Sequence, residues 1–279
     1  MDKLIINTAL TGNIPTKADN PHVPITPEEI AQDAGRCYQA GAVVFHLHAR
    51  DKDGRPTYKK EVYGEIISRV RQRCPEAIIC GSTSGRIFKT WEERSQVLDL
   101  DGDLKPEMAS LTLGSMNFSH QSSMNEPAMI RALAAKMQER GIIPELEIFD
   151  MGMLDYARYL IGKGILKEPF YFNLILGSLG TLSANPFNLS TLVMTLPPGA
   201  IWNGAGVGRY QFLVNSLSIV MGGQVRVGLE DNLYYDAGKS RPASNVELVE
   251  RLVRLARAAE REIATPAEAR QVLGLPARG

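Results

Sequence analysis

Short apolar runs rich in β-branched residues alternate along the chain with longer amphipathic stretches. Apolar runs bounded by turn residues predict buried strands, and an apolar repeat near 3.6 residues predicts amphipathic helices. The predicted strands cover residues 4–10, 42–48, 77–82, 108–113, 143–149, 170–177, 200–203 and 225–230. Helices are predicted between them, including residues 27–40, 59–73, 126–140, 187–195, 209–221 and 245–262.

Local signals mark the ends of several of these helices. Thr26 precedes Pro27 and two glutamates, which is the pattern of an N-cap followed by proline in the first turn. The segment 265–268 repeats that pattern and predicts a capping box. Gly41 and Gly141 each separate a predicted helix from a predicted strand, as C-terminal caps do.

The order of elements predicts the fold class. Eight strands, each followed by a helix or a helical loop, favour an α/β (β/α)8 TIM barrel. The alternative, an open doubly wound sheet, usually carries a GxGxxG turn after its first strand, and residues 11–15 read TGNIP instead. We therefore expect residues 1–279 to form a single TIM-barrel domain with a C-terminal helical extension.

Composition narrows the functional classes. The 279 residues contain 31 Lys and Arg against 31 Asp and Glu, and this balance argues against a nucleic-acid binder. No apolar run approaches the roughly 18–20 residues of a membrane span, and the N-terminus lacks the layout of a signal peptide. Three cysteines without CxxC spacing argue against a disulfide framework. We expect a soluble, cytoplasmic protein.

The clearest chemical motif is the FHLH segment at the end of the second predicted strand. Side chains alternate along a strand, so His46 and His48 share one face. Catalytic groups of a barrel lie at the C-terminal ends of its strands, and two adjacent imidazoles there suit a divalent metal, Zn²⁺ by default. The alternative is a pair of core histidines hydrogen-bonded to the backbone.

A third ligand is predicted from the last strand. Alternation along the predicted strand 225–230 places Arg226, Gly228 and Glu230 on one face, and if that face is inward, Glu230 lies at the rim with Arg226 beneath it. Two histidines, one glutamate and an open position form a catalytic zinc arrangement. A buried Arg226 needs a carboxylate, which Asp231 or Glu147 can supply. The alternative for this second motif is a structural Glu–Arg ion pair at a strand end.

Two loops carry weaker signals. Residues 81–86, GSTSGR, form a hydroxyl-rich turn after the third strand, of the kind that presents donors to a carboxylate or phosphate. Residues 203–209, NGAGVGR, follow the seventh strand, where many barrels bind phosphate, and they indicate a nucleotide-like or coenzyme A ligand. Ordinary loops share both compositions.

Several of these motifs, taken in order, resemble the β-keto acid cleavage enzyme family. The resemblance rests on residues 20–31, FHLHARD at 45–51, residues 106–118, PELEIFD at 144–150, VGLEDN at 227–232 and TPAEAR at 265–270. It covers essentially the whole chain. It implies a zinc-dependent barrel that condenses a β-keto acid with acetyl-CoA, giving acetoacetate and a new acyl-CoA.

The resemblance also implies roles for individual residues. One zinc ion per chain would be bound by His46, His48 and Glu230. Asp231 would act as the base beside Arg226, with Glu147 orienting the arginine. The substrate carboxylate would be held by Ser82, Gly85 and Ser110.

One position departs from the family pattern. Members that take an amino-bearing substrate place an acid in the loop after the first strand, and this chain has Ile14 there. We therefore expect a neutral or apolar tail on the keto acid. Long apolar helices and an exposed C-terminal segment, together with the family resemblance, also predict a homo-oligomer, either a dimer or a tetramer. Two alternatives remain open: a metal-dependent barrel lyase or aldolase that works without CoA, and a non-catalytic ligand-binding barrel.

Overall fold

Residues 2–278 are described by a computed structural model, and eight parallel strands close into a barrel. Their bounds are β1 Ile6–Ala9, β2 Val44–Leu47, β3 Ile78–Gly81, β4 Met108–Thr112, β5 Ile143–Ile148, β6 Tyr171–Leu176, β7 Ile201–Gly206 and β8 Gln224–Val227. Each strand pairs with its sequence neighbours, and β8 pairs with β1 to close the barrel. The predicted TIM-barrel fold is confirmed.

Nine α-helices accompany the barrel within residues 2–278. They are α1 Pro27–Ala40, α2 Lys60–Arg73, α3 Trp91–Ser95, α4 Pro127–Glu139, α5 Met151–Gly162, α6 Pro186–Thr195, α7 Gln211–Val220, α8 Asn245–Ala258 and α9 Pro266–Val272. Thr265 forms the predicted capping box and Thr26, predicted as an N-cap, forms one too; in each the threonine hydroxyl accepts the Glu29 or Glu268 amide. The six predicted helices are present. The sequence had not assigned α3 and α5.

Three predicted boundaries are wrong by three residues or more. The seventh strand, predicted over 200–203, continues to Gly206. The helix predicted over 245–262 ends at Ala258, because Glu260 adopts a left-handed φ of 56° and the chain turns back. Arg261 then points inward and donates to backbone carbonyls of Asp2 and Ile219. The last strand ends at Val227, not at residue 230, because Gly228 has a φ of 147° and begins a turn.

Apolar residues fill the space between the barrel and its helices. Short antiparallel pairs project from two loops at the C-terminal end of the barrel, Ala49–Arg50 with Pro56–Thr57 and Met116–Asn117 with Ser122–Ser123. The strand ends and these loops together surround a cavity. None of the helices within residues 2–278 combines the length and apolar character that crossing a bilayer requires.

Candidate active site

The two histidines of the FHLH motif meet at the C-terminal end of β2. His46 lies on the strand and His48 follows it, and both are buried. Their Nε2 atoms are 3.2 Å apart. The ionised Glu145 carboxylate can only accept a hydrogen bond, so His46 Nδ1, at 2.8 Å from Glu145 Oε2, is the donor. In neutral His46 the Nε2 lone pair is then free to face the cavity.

Glu230 reaches the histidines from the turn after β8. Its backbone amide donates to Ala9 O at 3.2 Å, and this bond fixes the turn against β1. Gly12 lies directly against it: a Cβ there would be 2.7 Å from Glu230 Cγ, and the φ of +65° also favours glycine. Gly12 thus leaves the space that Glu230 occupies.

The three side chains have the spacing of metal ligands. His48 Nε2 is 3.2 Å from Glu230 Oε1, and His46 Nε2 is 3.8 Å from Glu230 Oε2. Tetrahedral zinc with bonds of about 2.0–2.2 Å requires ligand–ligand distances of roughly 3.2–3.6 Å, so the separations from His48 lie within this range and the His46–Glu230 separation is slightly longer. Glu230 Oε2 is also buried without a hydrogen-bond partner among the described residues. A divalent cation fits both the spacing and the unpartnered oxygen.

Glu145 is the residue that sequence reasoning missed. It is fully buried on β5, and besides His46 it accepts from Asn7 Nδ2 at 2.7 Å and Cys80 Sγ at 3.4 Å. Strand alternation places it on the same inward face as Glu147, and that pattern was visible in the sequence. Only the register of the barrel strands shows that Glu145 lies one layer deeper than Glu147, beneath His46.

Arg226 lies at the centre of an acidic cluster. Its Nε and Nη2 donate to the two oxygens of Asp231 at 2.9 and 3.2 Å. Its Nη2 is 2.9 Å from Glu230, and Nη1 is 3.6 Å from Glu147 and 3.8 Å from Glu145. Four carboxylates therefore surround one guanidinium. The excess of negative charge gives a second reason for a cation at this place.

The surroundings raise the pKa of two carboxyl groups of the site, Asp231 and Glu147, and lower that of a third, Glu230. Burial raises the pKa of Asp231, and the adjacent Glu230 adds to that rise, while Arg226 acts against it. Burial likewise raises the pKa of Glu147. Burial also acts to raise the pKa of Glu230, but His48 and Arg226 hold it well below its ordinary value. Glu230 is therefore the better anionic ligand, and Asp231 the stronger base.

The hydroxyl-rich turn after β3 borders the same cavity. Ser82 and Ser84 line it, and the Ser82 hydroxyl accepts the Ser84 amide at 3.3 Å. Ser110 lies beneath the turn, where its hydroxyl accepts the Thr83 amide at 3.1 Å. Gly85 is buried behind the wall, and its carbonyl accepts the Met124 amide at 3.2 Å. The structure thus brings Ser82 to the cavity and uses Gly85 and Ser110 to hold the turn.

One cavity of about 540 Å³ joins these groups at the barrel mouth. Ile14 forms part of its wall and is 43% exposed. The loop after β7 closes another side, and Gly208 N donates to the Asp231 backbone carbonyl at 2.8 Å. Of the residues predicted to form the site, those that line the cavity are Ile14, His46, His48, Ser82, Glu147, Arg226, Glu230 and Asp231.

A TIM barrel with a candidate divalent-metal site and a buried Arg–Asp pair at its C-terminal mouth has the layout of an enzyme of the barrel class. A sequence model of the beta-keto acid cleavage enzyme family matches residues 3–275. The chain therefore belongs to the β-keto acid cleavage enzyme family, as the sequence motifs indicated.

Individual relatives support this membership. The chain is 46% identical over 276 residues to a 3-keto-5-aminohexanoate cleavage enzyme of Fusobacterium nucleatum, covering 99% of each chain. It is 36% identical to a 3-oxoadipate:acetyl-CoA acetyltransferase of Cupriavidus necator, covering 98% of this chain and 95% of the relative. Among solved structures, a ternary complex of ObcA with a C4-CoA adduct and oxalate is similar, with a TM-score of 0.77 and 25% identity. That match covers 91% of this chain and 68% of ObcA.

Proposed function

We propose that this protein is a zinc-dependent enzyme that cleaves a β-keto acid with acetyl-CoA, releasing acetoacetate and a new acyl-CoA. The observation that carries the proposal is the convergence of His46, His48 and Glu230 beside the Arg226–Asp231 pair in one cavity. The activities named for the relatives support it: one is named for cleavage of a β-keto acid and another for transfer with acetyl-CoA.

His46, His48 and Glu230 are the proposed ligands of one zinc ion per chain, because nitrogen ligands with one carboxylate favour zinc. A zinc ion bound there would supply Lewis-acid chemistry, which makes the C2 protons of a β-keto acid more acidic. The remaining chemistry belongs to side chains of this chain.

Asp231 is the proposed general base. Arg226 holds both of its carboxylate oxygens, so the group has a fixed orientation, and its raised pKa strengthens it as a proton acceptor. Glu147 accepts from Thr112 Oγ1 at 2.6 Å and faces Arg226 Nη1, which suits a residue that orients the arginine. Asp231 takes one proton from C2, leaving an electron pair on that carbon.

The bonds then exchange in a balanced sequence. The C2 carbanion attacks the acetyl-CoA carbonyl, and CoA leaves as a thiolate. The thiolate attacks the original C3 carbonyl, the C2–C3 bond breaks, and its electron pair stays on C2. Protonated Asp231 returns its proton to C2, giving acetoacetate, while the rest of the keto acid leaves as an acyl-CoA.

The cavity walls suggest where the substrates bind. Ser82 is the proposed donor to the substrate carboxylate, positioned by a turn that Ser110 and Gly85 hold in place. Ile14 offers no charge for an ammonium group on the substrate tail. Arg209 and Lys239 are exposed cations at the rim of the same cavity, where they suit the phosphates of CoA.

The test is a panel of β-keto acids incubated with purified protein, with and without acetyl-CoA. We expect acetoacetate to form only when acetyl-CoA is present, with about one zinc per chain, and Asp231→Asn to lose activity while keeping its metal. Keto acid turnover without acetyl-CoA would instead indicate a lyase or aldolase. Binding without any turnover would indicate a ligand-binding barrel.

We also propose that the protein is a homo-oligomer. The neighbouring helices α6 and α7 carry no charged residue. They expose large apolar side chains, including Phe187 at 78%, Met194 at 85% and Val220 at 58%. Such a patch is typical of an interface. Light scattering after size-exclusion chromatography should show a dimer or tetramer, and Phe187→Glu with Met194→Glu should shift it toward the monomer. A monomeric wild type would contradict the proposal.

A further inference from the structure

Arg86 is a cation on the cavity wall whose side chain lacks an acceptor. It follows the hydroxyl-rich turn and lines the cavity beside the candidate metal ligands. Its backbone amide donates to Ser84 Oγ at 3.2 Å, but its Nε is buried without a hydrogen-bond partner. Among residues 2–278, no carboxylate oxygen lies within salt-bridge distance of its guanidinium.

The buried arginines of this protein also leave single N–H groups without a partner, Nε of Arg50 and Arg270 among them, but each has an acceptor for another part of its guanidinium. Each of them donates to at least one carbonyl or carboxylate oxygen: Arg50, Arg71, Arg94, Arg226, Arg261 and Arg270. A guanidinium removed from water without an acceptor is costly, and proteins retain such groups mainly where a ligand supplies the acceptor. Arg86 therefore has the properties of a residue whose partner is an anionic ligand.

The geometry around Arg86 prepares it for a planar anion. Its guanidinium carbon lies 4.0 Å from the centroid of the Phe118 ring, and this stacking fixes the plane of the group. Stacking covers the face of a guanidinium and leaves its N–H edge available, which is the geometry that binds a carboxylate through two hydrogen bonds.

Three kinds of anion enter this cavity if the proposed function holds: the C1 carboxylate of the keto acid, a phosphate of CoA, and an acidic group on the substrate tail. The C1 carboxylate has the Ser82 turn as its donor. The rim cations Arg209 and Lys239 are exposed, as phosphate-binding groups at a mouth should be, whereas Arg86 is half-buried over an aromatic wall. That wall includes Met116, Phe118 and Phe149, which suit the methylene groups of a chain.

Resting on the proposed function, we propose that Arg86 selects β-keto dicarboxylic acids by binding the carboxylate at the far end of the substrate tail. Ile14 alone led to the expectation of a neutral or apolar tail. Arg86 changes that expectation: an ammonium group on the substrate tail finds no acid at position 14 and meets an unpaired cation at position 86, whereas a carboxylate finds an acceptor-seeking partner there.

The test compares two substrates of equal chain length, 3-oxoadipate and 3-oxohexanoate, with acetyl-CoA. The wild type should show a kcat/KM about 10–100-fold higher for the diacid, the range expected for one charged hydrogen-bonded pair. Arg86→Gln should remove that preference by raising KM for 3-oxoadipate. The kcat/KM for 3-oxohexanoate, whose tail is uncharged, should stay close to the wild-type value. Arg86→Lys should retain part of the preference, because lysine keeps the positive charge but cannot form the two parallel hydrogen bonds of a guanidinium with a carboxylate.

Other outcomes overturn the inference. If Arg86→Gln lowered kcat/KM equally for both keto acids, the residue would be assigned to the C1 carboxylate. If the variant raised only the KM for acetyl-CoA, the residue would be assigned to a CoA phosphate. A wild-type protein with a higher kcat/KM for 3-oxohexanoate than for 3-oxoadipate would also contradict the inference.

A binding measurement separates this inference from the proposed function. If no keto acid is cleaved, the proposed function fails, and calorimetry with glutarate and butyrate then decides the role of Arg86. Wild-type protein that binds glutarate more tightly than butyrate, with the difference lost in Arg86→Gln, supports dicarboxylate recognition. Equal binding of the two acids, or no binding of either, overturns it. Thermal melting of both Arg86 variants checks that they fold.

Discussion

Glu145 Oε2 lies 2.8 Å from His46 Nδ1, at the bottom of the candidate metal site. This contact fixes the tautomer of His46 and directs its Nε2 toward His48 and Glu230. Metal-binding histidines commonly donate their other nitrogen to a carboxylate in this way, which orients the ring and raises its basicity. Glu145 is thus a positioning residue for the proposed metal ligand His46, although it lies too deep to touch a substrate.

Glu145→Gln should weaken zinc binding by about 10–100-fold. An amide at this position can donate to His46 Nδ1 and so stabilise the wrong tautomer, with Nε2 protonated. Competition with a chromogenic chelator measures the affinity directly. Glu147→Gln is the matched control: it makes the same change of charge, but Glu147 contacts Thr112 and Arg226 instead of His46, so the zinc affinity of this variant should fall much less than that of Glu145→Gln. Equal affinities in all three proteins would refute the role of Glu145.

Removing the metal should also destabilise the fold. Glu145, Glu147, Glu230 and Asp231 crowd around Arg226, and a bound cation reduces their mutual repulsion. A ligand present at 100 times its dissociation constant stabilises a protein by about 2.7 kcal/mol, so a chelator should lower the Tm by about 5 °C or more. Differential scanning fluorimetry measures the shift. The double variant His46→Ala/His48→Ala should melt at the same temperature with and without chelator, and a chelator-insensitive wild type would contradict the metal assignment.

The sequence predicted much of this site because its residues lie on strand ends. The eight apolar runs specify the barrel, and period-two alternation places His46 and His48 together. Glu230 was predicted by extending β8 to residue 230, and that reasoning was wrong in its detail. Gly228 ends the strand, and Glu230 reaches the histidines through a turn bonded to Ala9.

Other features depend on contacts that no local pattern encodes. Phe118 meets Arg86 only because two loops from different strands fold over the same mouth. Glu145 differs from Glu147 by one layer of the barrel, and only the pairing of β5 with its neighbours shows which acid reaches His46. The helix α5 begins at an Asp150 N-cap, a local signal, but it follows directly on β5 and was not assigned.

Gly12→Ala should lower the zinc affinity as well as the free energy of unfolding. Its φ of +65° makes any side chain strained by about 1–2 kcal/mol, and the new Cβ would also press on Glu230 Cγ at 2.7 Å. Gly141→Ala is a close control, since Gly141 has a φ of +62° and no atom within 4 Å of the added Cβ. Urea unfolding should show similar losses of stability in both variants, whereas only Gly12→Ala should lower zinc affinity. A zinc affinity that is unchanged in Gly12→Ala would show that Glu230 adjusts freely.

Ile14→Glu should reverse the charge preference of the substrate tail. A carboxylate on this half-exposed part of the wall attracts an ammonium group and repels an acidic tail, so the ratio of kcat/KM for 3-keto-5-aminohexanoate over 3-oxoadipate should rise. One charge pair at a partly solvated site contributes about 0.2–1 kcal/mol, which corresponds to a rise of a few-fold from the pair itself and as much again from repulsion of the diacid. Ile14→Gln has the same length without the charge and should leave the ratio close to that of the wild type. If both variants gave the same ratio, position 14 would act through shape and not through charge.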